Sequence, residues 1–210
     1  MKKHLILLLF LAYNLSIKAQ VKEIKTPVSD TTFVKLSAYS SAFVYDLKYA
    51  TTDNFLGEKV YNCGECYLRY KTVKALLVAQ EKIKSKGYKF KLFDCYRPLS
   101  VQQKMWALVS DPAYVADPAK GSLHNRGGAV DLTLVDKNGN ELDFGTTFDF
   151  FGEQASHSYL ELDKEVIKNR TFLRKVMTEN GFTIFPSEWW HYNIEEGQEL
   201  PIANFSWPCN

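Results

Sequence analysis

Two short stretches of the sequence place metal-binding side chains close together. "SLHNRGGAVD" holds His124 and Asp131 seven residues apart, separated by two glycines that allow a tight backbone turn. "EWWHY" holds Glu188 and His191 in an aromatic, apolar setting, where unpaired charged groups are costly to bury. Two imidazoles and one carboxylate, with the fourth position left to water, are the ligand set of a catalytic zinc site. A second carboxylate beside such a site can act as general base, and Glu188 is the candidate.

The spacing of these residues leaves two questions open. On a regular strand, residues three apart face opposite sides, so Glu188 and His191 converge only if a turn or bulge intervenes. The third ligand is also open, because His157 could replace Asp131 in a three-histidine site. The residue types and spacing alone do not choose between these two ligand sets.

The first residues predict export from the cytoplasm. "MKKHLILLLFLAYNLSIKA" has two lysines, an apolar run and a polar end at Ala19, which is the layout of a secretory signal peptide. We expect a signal peptide over 1–19 and a single domain over 20–210, located in the periplasm or secreted. The apolar run is short for a membrane span, so we expect no stable membrane anchor, although an anchoring helix is the alternative.

Composition points to an ordinary globular domain. Removing residues 1–19 takes away three lysines and no acid, which leaves 23 basic residues, 24 acidic ones and a net charge of −1. A near-neutral chain gives no sign of nucleic-acid binding or of a polybasic membrane patch. The sequence does not give the oligomeric state.

Four cysteines, Cys63, Cys66, Cys95 and Cys209, follow the predicted signal peptide. An even number in an exported protein favours disulfides, and four cysteines allow three pairings. We expect two disulfides that link the "CGEC" turn to Cys95 and Cys209. The sequence does not show which cysteine of the turn pairs with which partner. "CGEC" could instead be half of a zinc knuckle or a redox pair. The chain lacks a second CxxC, and the turn does not open a predicted helix.

The elements that must position these residues mix helices with strands. Helical periodicity predicts helices over about 72–86, 100–109 and 163–180, and alternation predicts strands over about 42–50, 88–96, 128–136, 182–186 and 189–194. Ser100 and Gln103 have the spacing of a capping box at the start of the second helix. Because the order lacks regular βαβ units, we expect an α+β domain, with helices packed on a mostly antiparallel sheet that carries the zinc site.

The two stretches also resemble a known family. "SLHNRGGAVDLTL" fits the SxHxxGxAxD motif and "EWWHY" the ExxH motif of the zinc D-Ala-D-Ala peptidases. "KYATTDNFLG", "DCYRP" and "FDF" make the chain similar to the VanX-type D-alanyl-D-alanine dipeptidases in particular. The motifs follow the family's order across roughly 40–195. The chain departs from the pattern at Cys95, where the family motif has glycine, and in the cysteine-bearing "YNCGECYLR" loop.

The resemblance implies a role for each matching residue. His124, Asp131 and His191 would bind one zinc ion per chain, which leaves His157 without a metal role, and Glu188 would be the catalytic base. Arg97 would stabilise the oxyanion or bind the substrate carboxylate. Asp149 and Ser122 would help to hold the free amine and the backbone of the substrate.

The resemblance implies hydrolysis of the small dipeptide D-alanyl-D-alanine to two D-alanines. A carboxypeptidase or endopeptidase acting on peptidoglycan peptides is the nearest alternative, and it requires an open groove. A non-catalytic zinc domain that binds cell-wall peptides is a third hypothesis. Glu188 argues against it, because a purely structural zinc site requires no base.

Overall fold

The computed structural model describes residues 27–209, so the predicted signal peptide lies outside the described residues. The strands are Phe33–Lys35 (β1), Val44–Tyr45 (β2), Tyr67–Arg69 (β3), Lys89–Asp94 (β4), Ala129–Val135 (β5), Phe182–Phe185 (β6) and Glu188–Ile194 (β7). The α-helices are Tyr70–Lys84 (α1), Leu99–Leu108 (α2) and Lys164–Thr178 (α3). Within residues 27–209, no helix has the length and apolar character needed to cross a membrane.

A five-stranded sheet organises the domain. Its strand order is β2-β4-β5-β7-β6, and every neighbouring pair is antiparallel except β2 with β4. β5 lies at the centre and is buried along its whole length, which explains its nearly unbroken apolar sequence "AVDLTLV". β1 and β3 form a separate antiparallel pair. The α+β prediction with a mostly antiparallel sheet is therefore confirmed.

Two helices cover the sheet and close the main core. α1 packs against β3, β4 and α3, while α3 packs against β6 and β7. The buried side chains of α1 include Val73, Leu76 and Ile83, which recur at helical spacing and form one face. That face meets the apolar residues of β4 and β5 in one contiguous cluster.

A second core lies around α2 and the C-terminal segment. Val101 and Met105 of α2 pack with buried aromatic residues that include Tyr96 and Trp207. Residues 200–209, which we call the C-terminal strap, run across this core. Ala203 N–H donates to the Asn125 carbonyl at 2.8 Å, and Phe205 N–H donates to the Tyr96 hydroxyl at 2.8 Å. The strap thereby contacts the two loops that carry His124 and Arg97.

Both predicted disulfides are present. Cys63 is bonded to Cys209 and Cys66 to Cys95, which fixes the pairing that the sequence left open. The two cysteines of "CGEC" therefore bind different partners, which excludes both the zinc knuckle and a redox pair between them. One bridge fastens the C-terminal strap, and the other joins the start of β3 to the end of β4.

Three local predictions were wrong. The strand predicted over 42–50 is reduced to β2, because the chain turns into a 3₁₀ helix at Lys48–Ala50. The capping box does not form: α2 begins directly after Pro98, and the Ser100 N–H instead donates to the Asn204 side chain at 2.9 Å. β1 and β3 were missed because strands of three residues are too short for alternation to be visible.

Candidate active site

Neighbouring strands bring two of the metal-binding candidates into register. Asp131 of β5 is the Cα partner of His191 of β7. Directly opposite residues of an antiparallel pair point to the same face, so their side chains meet. His124 enters from a 3₁₀ turn before β5, which Gly127 ends at φ +68°. A Cβ at Gly127 would collide with the Phe33 ring, so this turn requires glycine.

The three ligand atoms converge on one point. His124 Nε2 lies 3.2 Å from Asp131 Oδ2 and 3.1 Å from His191 Nδ1, and His191 Nδ1 lies 3.0 Å from Asp131 Oδ1. All three side chains are buried. Despite that 3.0 Å contact, Asp131 Oδ1 has no partner in hydrogen-bonding geometry among the described residues. Two imidazole nitrogens close to a buried carboxylate, one oxygen of which has no hydrogen-bond partner among the described residues, fit a metal ion.

Hydrogen bonds behind the two imidazoles set which ring nitrogens face this point. His124 Nδ1–H donates to the Cys95 carbonyl at 2.6 Å, and His191 Nε2–H donates to Asn193 Oδ1 at 2.7 Å. Each acceptor is an oxygen, so the proton is on the bonded nitrogen and the other nitrogen keeps its lone pair. His124 Nε2 and His191 Nδ1 are therefore the metal-facing atoms, held as ligating histidines usually are.

The electrostatics of the cluster favour positive charge at the convergence point. Burial opposes ionisation of Asp131, but the neighbouring His124 and His191 outweigh it and hold the pKa of Asp131 well below its usual range. Burial would likewise lower the pKa of His124, yet the Asp131 carboxylate raises it overall. A buried carboxylate that stabilises an adjacent cation in this way suits a metal site.

A bulge in β7 brings Glu188 and His191 to the same side. β6 and β7 pair regularly as far as Ile184 with Tyr192, but Phe185 then pairs with Glu188, where a regular ladder would reach His191. The extra residues of β7 bend the strand, so that Glu188 Oε2 lies 3.7 Å from His191 Nδ1. This bulge is the irregularity that Glu188 and His191, three residues apart on one strand, require to face the same side. Burial, together with the charges of Asp131 and Asp149, raises the pKa of Glu188 well above its usual range.

Arg97 is held rigidly at the edge of the cluster. Its Nε and Nη2 both donate to Asp94 Oδ2, at 2.9 and 2.8 Å, and its Nη1 donates to Gln102 Oε1 at 3.0 Å. Tyr61 donates to the other Asp94 oxygen at 2.8 Å. Burial alone would lower the pKa of Arg97. The negative charge of Asp94 outweighs burial and raises this pKa well above its usual range, so the guanidinium stays charged. Its Nη2 lies 3.8 Å from Asp131 Oδ2.

Asp149 lies in the wall of the same cavity. Its backbone has φ +57°, which is uncommon for a residue other than glycine, and the Tyr49 hydroxyl donates to its Oδ2 at 2.7 Å. Burial raises the pKa of Asp149 to about 7, because the hydrogen bond from Tyr49 only partly offsets the loss of solvent. A cationic group beside this carboxyl would favour its ionised form.

A cavity of about 200 Å³ joins these residues. Phe55, Tyr114 and Phe151, which we call the aromatic roof, come from three different loops and line it together with the cluster. The Phe151 ring contacts Phe55 and Tyr114 at centroid distances of 5.1 and 5.2 Å. The volume is below the roughly 300–1,000 Å³ of pockets that hold drug-sized ligands, so the cavity suits a small substrate.

Comparison with known proteins identifies the family. The chain is 34% identical to D-alanyl-D-alanine dipeptidase of Escherichia coli (strain K12), over 87% of this chain and 95% of that protein. It is 31% identical to the D-alanyl-D-alanine dipeptidase of Enterococcus faecium, over 78% of this chain and 91% of that protein. The family model described as peptidase M15, D-ala-D-ala dipeptidase, matches residues 29–207. The chain belongs to this family.

In this M15 peptidase, Ser122 also lies in the cavity wall, and it has a local structural partner. Its hydroxyl accepts the backbone N–H of His124 at 3.2 Å, while its own N–H donates to Asn125 Oδ1 at 2.7 Å. Ser122 therefore shapes the turn that presents His124, whether or not it also contacts substrate.

His157 lies apart from the three-ligand cluster. It lines a separate, small cavity together with Arg170 and Arg174. Among residues 27–209, the group of His, Cys, Asp and Glu side chains close enough to share a metal ion consists of His124, Asp131 and His191. The geometry thus favours the set with Asp131 over the three-histidine alternative.

Sequence reasoning missed the supporting residues of this M15 site. Asp94, inside the quoted "DCYRP", precedes Arg97 by three residues at the end of a predicted strand, a position from which a carboxylate can reach a guanidinium. Asn193 follows His191 by two residues, and period-two alternation puts both on one face. Tyr49 left no comparable signal, since it lies 100 residues before its partner Asp149. Gln102 is five residues after Arg97, and it reaches that side chain because α2 begins directly after Pro98.

Proposed function

We propose that this protein hydrolyses D-alanyl-D-alanine to two D-alanines with one zinc ion held by His124, Asp131 and His191. The observation that carries the proposal is the convergence of three ligand atoms beside Glu188 and Arg97 in one small cavity. Membership of the D-ala-D-ala dipeptidase family supports it. The curated relatives named above carry that same activity in their names.

The zinc ion, Glu188 and Arg97 have separate roles in the proposed reaction. A bound zinc ion supplies a Lewis acid, which polarises the scissile carbonyl and lowers the pKa of water. Glu188 takes a proton from the attacking water on its carboxylate and passes it to the nitrogen of the leaving amine. Arg97 places a fixed positive charge beside the negative charge that develops on the carbonyl oxygen.

Two charged groups would select a free dipeptide. Asp149 would bind the substrate ammonium, and Arg97 is also suited to hold a carboxylate. Both are buried or partly buried, so a mispaired charge in the cavity would be costly. A cavity of about 200 Å³, lined in part by the aromatic roof, suits a small substrate such as a dipeptide.

The site of action is proposed to be outside the cytoplasm. The signal peptide predicted over 1–19 would direct export to the periplasm or the medium. The two disulfides support this location, because such bonds persist in oxidising compartments.

Release of free D-alanine by the zinc-loaded protein tests the proposal. D-Ala-D-Ala and a muropeptide that ends in D-Ala-D-Ala are supplied separately, with chelator-treated protein as the control. Cleavage of the dipeptide alone is expected. Cleavage of the muropeptide would instead identify a carboxypeptidase and remove the assignment of Asp149 to the substrate amine. If neither substrate is cleaved although zinc is bound, the protein is not a peptidase of this specificity.

A further inference from the structure

The backbone carbonyl and N–H of Cys95 contact two different residues of the candidate active site. Its carbonyl accepts His124 Nδ1–H at 2.6 Å, and its N–H donates to Asp94 Oδ1 at 2.9 Å. Asp94 in turn holds Arg97 through its other oxygen. A displacement of this single residue would therefore disturb a metal ligand and the cationic side chain together.

Cys95 has left the ladder of β4, so the sheet itself does not fix it. β4 ends at Asp94, and the ladder to β5 is already irregular between Leu92 and Asp94. Two links to β3 and the residue before it anchor this part of the chain instead: the bond to Cys66, and the hydrogen bond from the neighbouring Tyr96 N–H to the Tyr67 carbonyl at 3.0 Å. Cys66 lies next to β3, and its carbonyl accepts the N–H of Leu36 at 2.9 Å, which ties it to the two-stranded sheet. Both cysteines are 1% exposed, so the bridge lies inside the protein core.

We propose that the Cys66–Cys95 bond is a positioning element for the zinc ligand His124, and that it sets the affinity of the site for zinc. The inference rests on the zinc site of the proposed function. Groups that orient a ligating histidine from behind contribute about 10- to 100-fold to metal affinity when they are tested by mutation. Here the orienting group is a backbone carbonyl, which has no side chain of its own to mutate. The covalent bond to Cys66 holds that carbonyl at its short distance from the imidazole, together with the hydrogen bond that the Tyr96 N–H of the same peptide group donates to the Tyr67 carbonyl at 3.0 Å.

The second bridge provides a matched control. The Cys63–Cys209 bond fastens the C-terminal strap. The Cys63 sulfur contacts the Pro208 carbonyl, and the Trp207 indole N–H donates to the Cys63 carbonyl, so these contacts are with the strap itself. Neither of its cysteines hydrogen-bonds to the three ligands or to Arg97 among the described residues. Other contacts also hold the strap, including Arg69 to the Pro201 carbonyl at 2.8 Å. Its removal is therefore expected to loosen the strap without turning the His124 ring.

The test compares the zinc affinities of two full-length variants with that of the wild type, by competition with a chromogenic chelator. The variants are Cys66→Ala/Cys95→Ala and Cys63→Ala/Cys209→Ala, and thermal unfolding of each is recorded in parallel. We expect the first variant to bind zinc at least about tenfold more weakly and the second to bind as the wild type does, although both unfold at lower temperature. Equal affinity in a folded first variant would overturn the inference.

A reduction experiment covers the case in which the first variant does not fold. In the Cys63→Ala/Cys209→Ala background, a water-soluble phosphine supplies two electrons to the remaining bridge, and water supplies the oxygen of the resulting phosphine oxide and the protons of the two thiols. Thiol labelling after unfolding counts the reduced molecules. Weaker zinc binding in proportion to the reduced fraction supports the inference, and unchanged binding overturns it. Absence of zinc binding by the wild type would instead refute the proposed function.

Discussion

Asp131 and His191 lie directly opposite each other across the β5–β7 ladder, and their side chains approach to 3.0 Å. Two of the three candidate ligands are therefore set by strand register. A slip of one residue would turn one of these side chains to the other face of the sheet. Because both faces of β5 are buried, such a slip would also put side chains of the wrong size and polarity into close-packed positions, and the core thereby protects the register of the site.

Replacement of Glu188 by alanine is expected to separate metal binding from catalysis. The glutamate is not among the three ligands, so zinc content measured by atomic absorption should equal that of the wild type. Loss of the general base should lower kcat for D-Ala-D-Ala by about 10²- to 10⁴-fold. Glu195→Ala, at an exposed position of the same chain, is the control and should retain activity. If Glu188→Ala retains full activity, another group takes up the proton.

Replacement of Arg97 by lysine is expected to lower kcat strongly although the charge is kept. A lysine ammonium cannot reproduce the pair of hydrogen bonds to Asp94 and the bond to Gln102, so the cation loses its fixed position. Removal of one oxyanion-stabilising donor typically lowers kcat by about 10²- to 10³-fold. The exposed Arg174→Lys serves as the control, and steady-state kinetics are the measurement. A change confined to KM would assign Arg97 to the substrate carboxylate alone.

Replacement of Asp149 by asparagine should weaken recognition of the substrate amine. The wild type is expected to prefer D-Ala-D-Ala over its N-acetylated form, which lacks the ammonium. Asp149→Asn keeps the size of the side chain but removes its charge, so this preference should shrink, mainly through a higher KM for the free dipeptide. Asp163→Asn, on the surface before α3, should leave the preference intact. An undiminished preference in Asp149→Asn would place the amine elsewhere.

His157 is expected to affect acid stability and not zinc content. Burial, followed by the charges of Arg174 and Arg170, lowers the pKa of His157 to about 4. The unfolded chain, with a histidine pKa near 6.5, then binds more protons, so stability falls as the pH drops from about 6.5 to about 4. The loss from this group reaches up to about 3 kcal/mol.

Urea unfolding of metal-free wild type and His157→Gln at pH 7 and pH 4.5 measures this contribution. The wild type should lose more stability between the two pH values than the variant, because the variant lacks the partly buried imidazole whose protonation the folded state opposes. At pH 7 the two proteins should bind the same amount of zinc. A loss of zinc in His157→Gln would revive the three-histidine site.

The sequence predicted the parts of the fold that depend on long, regular patterns. α1 and α3 extend over four turns or so, and their apolar periodicity is visible without tertiary context. The strand predicted over 42–50 was too long, because the side chains of Thr51 and Asn54 donate to the Lys48 carbonyl and hold a turn there, which the alternation of apolar residues does not record. The α2 cap failed for a similar reason: its partner, Asn204, comes from the distant C-terminal strap.

The sequence predicted side chains of the candidate site but not the groups that orient them. The ligand types and the base follow from residue chemistry and motif spacing, but the choice of Asp131 over His157 came from the family resemblance. The carbonyl of Cys95 that orients His124 could not be found, because every residue carries a backbone carbonyl and the sequence does not mark one from another. The Asp94–Arg97–Gln102 arrangement depends on where β4 ends relative to α2, which is a tertiary property.

The two sides of the cavity differ in how they are held together. Beneath the ligands, a covalent bond and a network of hydrogen bonds fix the backbone. The aromatic roof is joined by ring contacts, with no hydrogen bond linking the three side chains of Phe55, Tyr114 and Phe151 to one another in the described chain. Such contacts separate through side-chain rotation, which is fast compared with backbone rearrangement. Rotation of these side chains can therefore widen the cavity without breaking the bonds beneath the ligands.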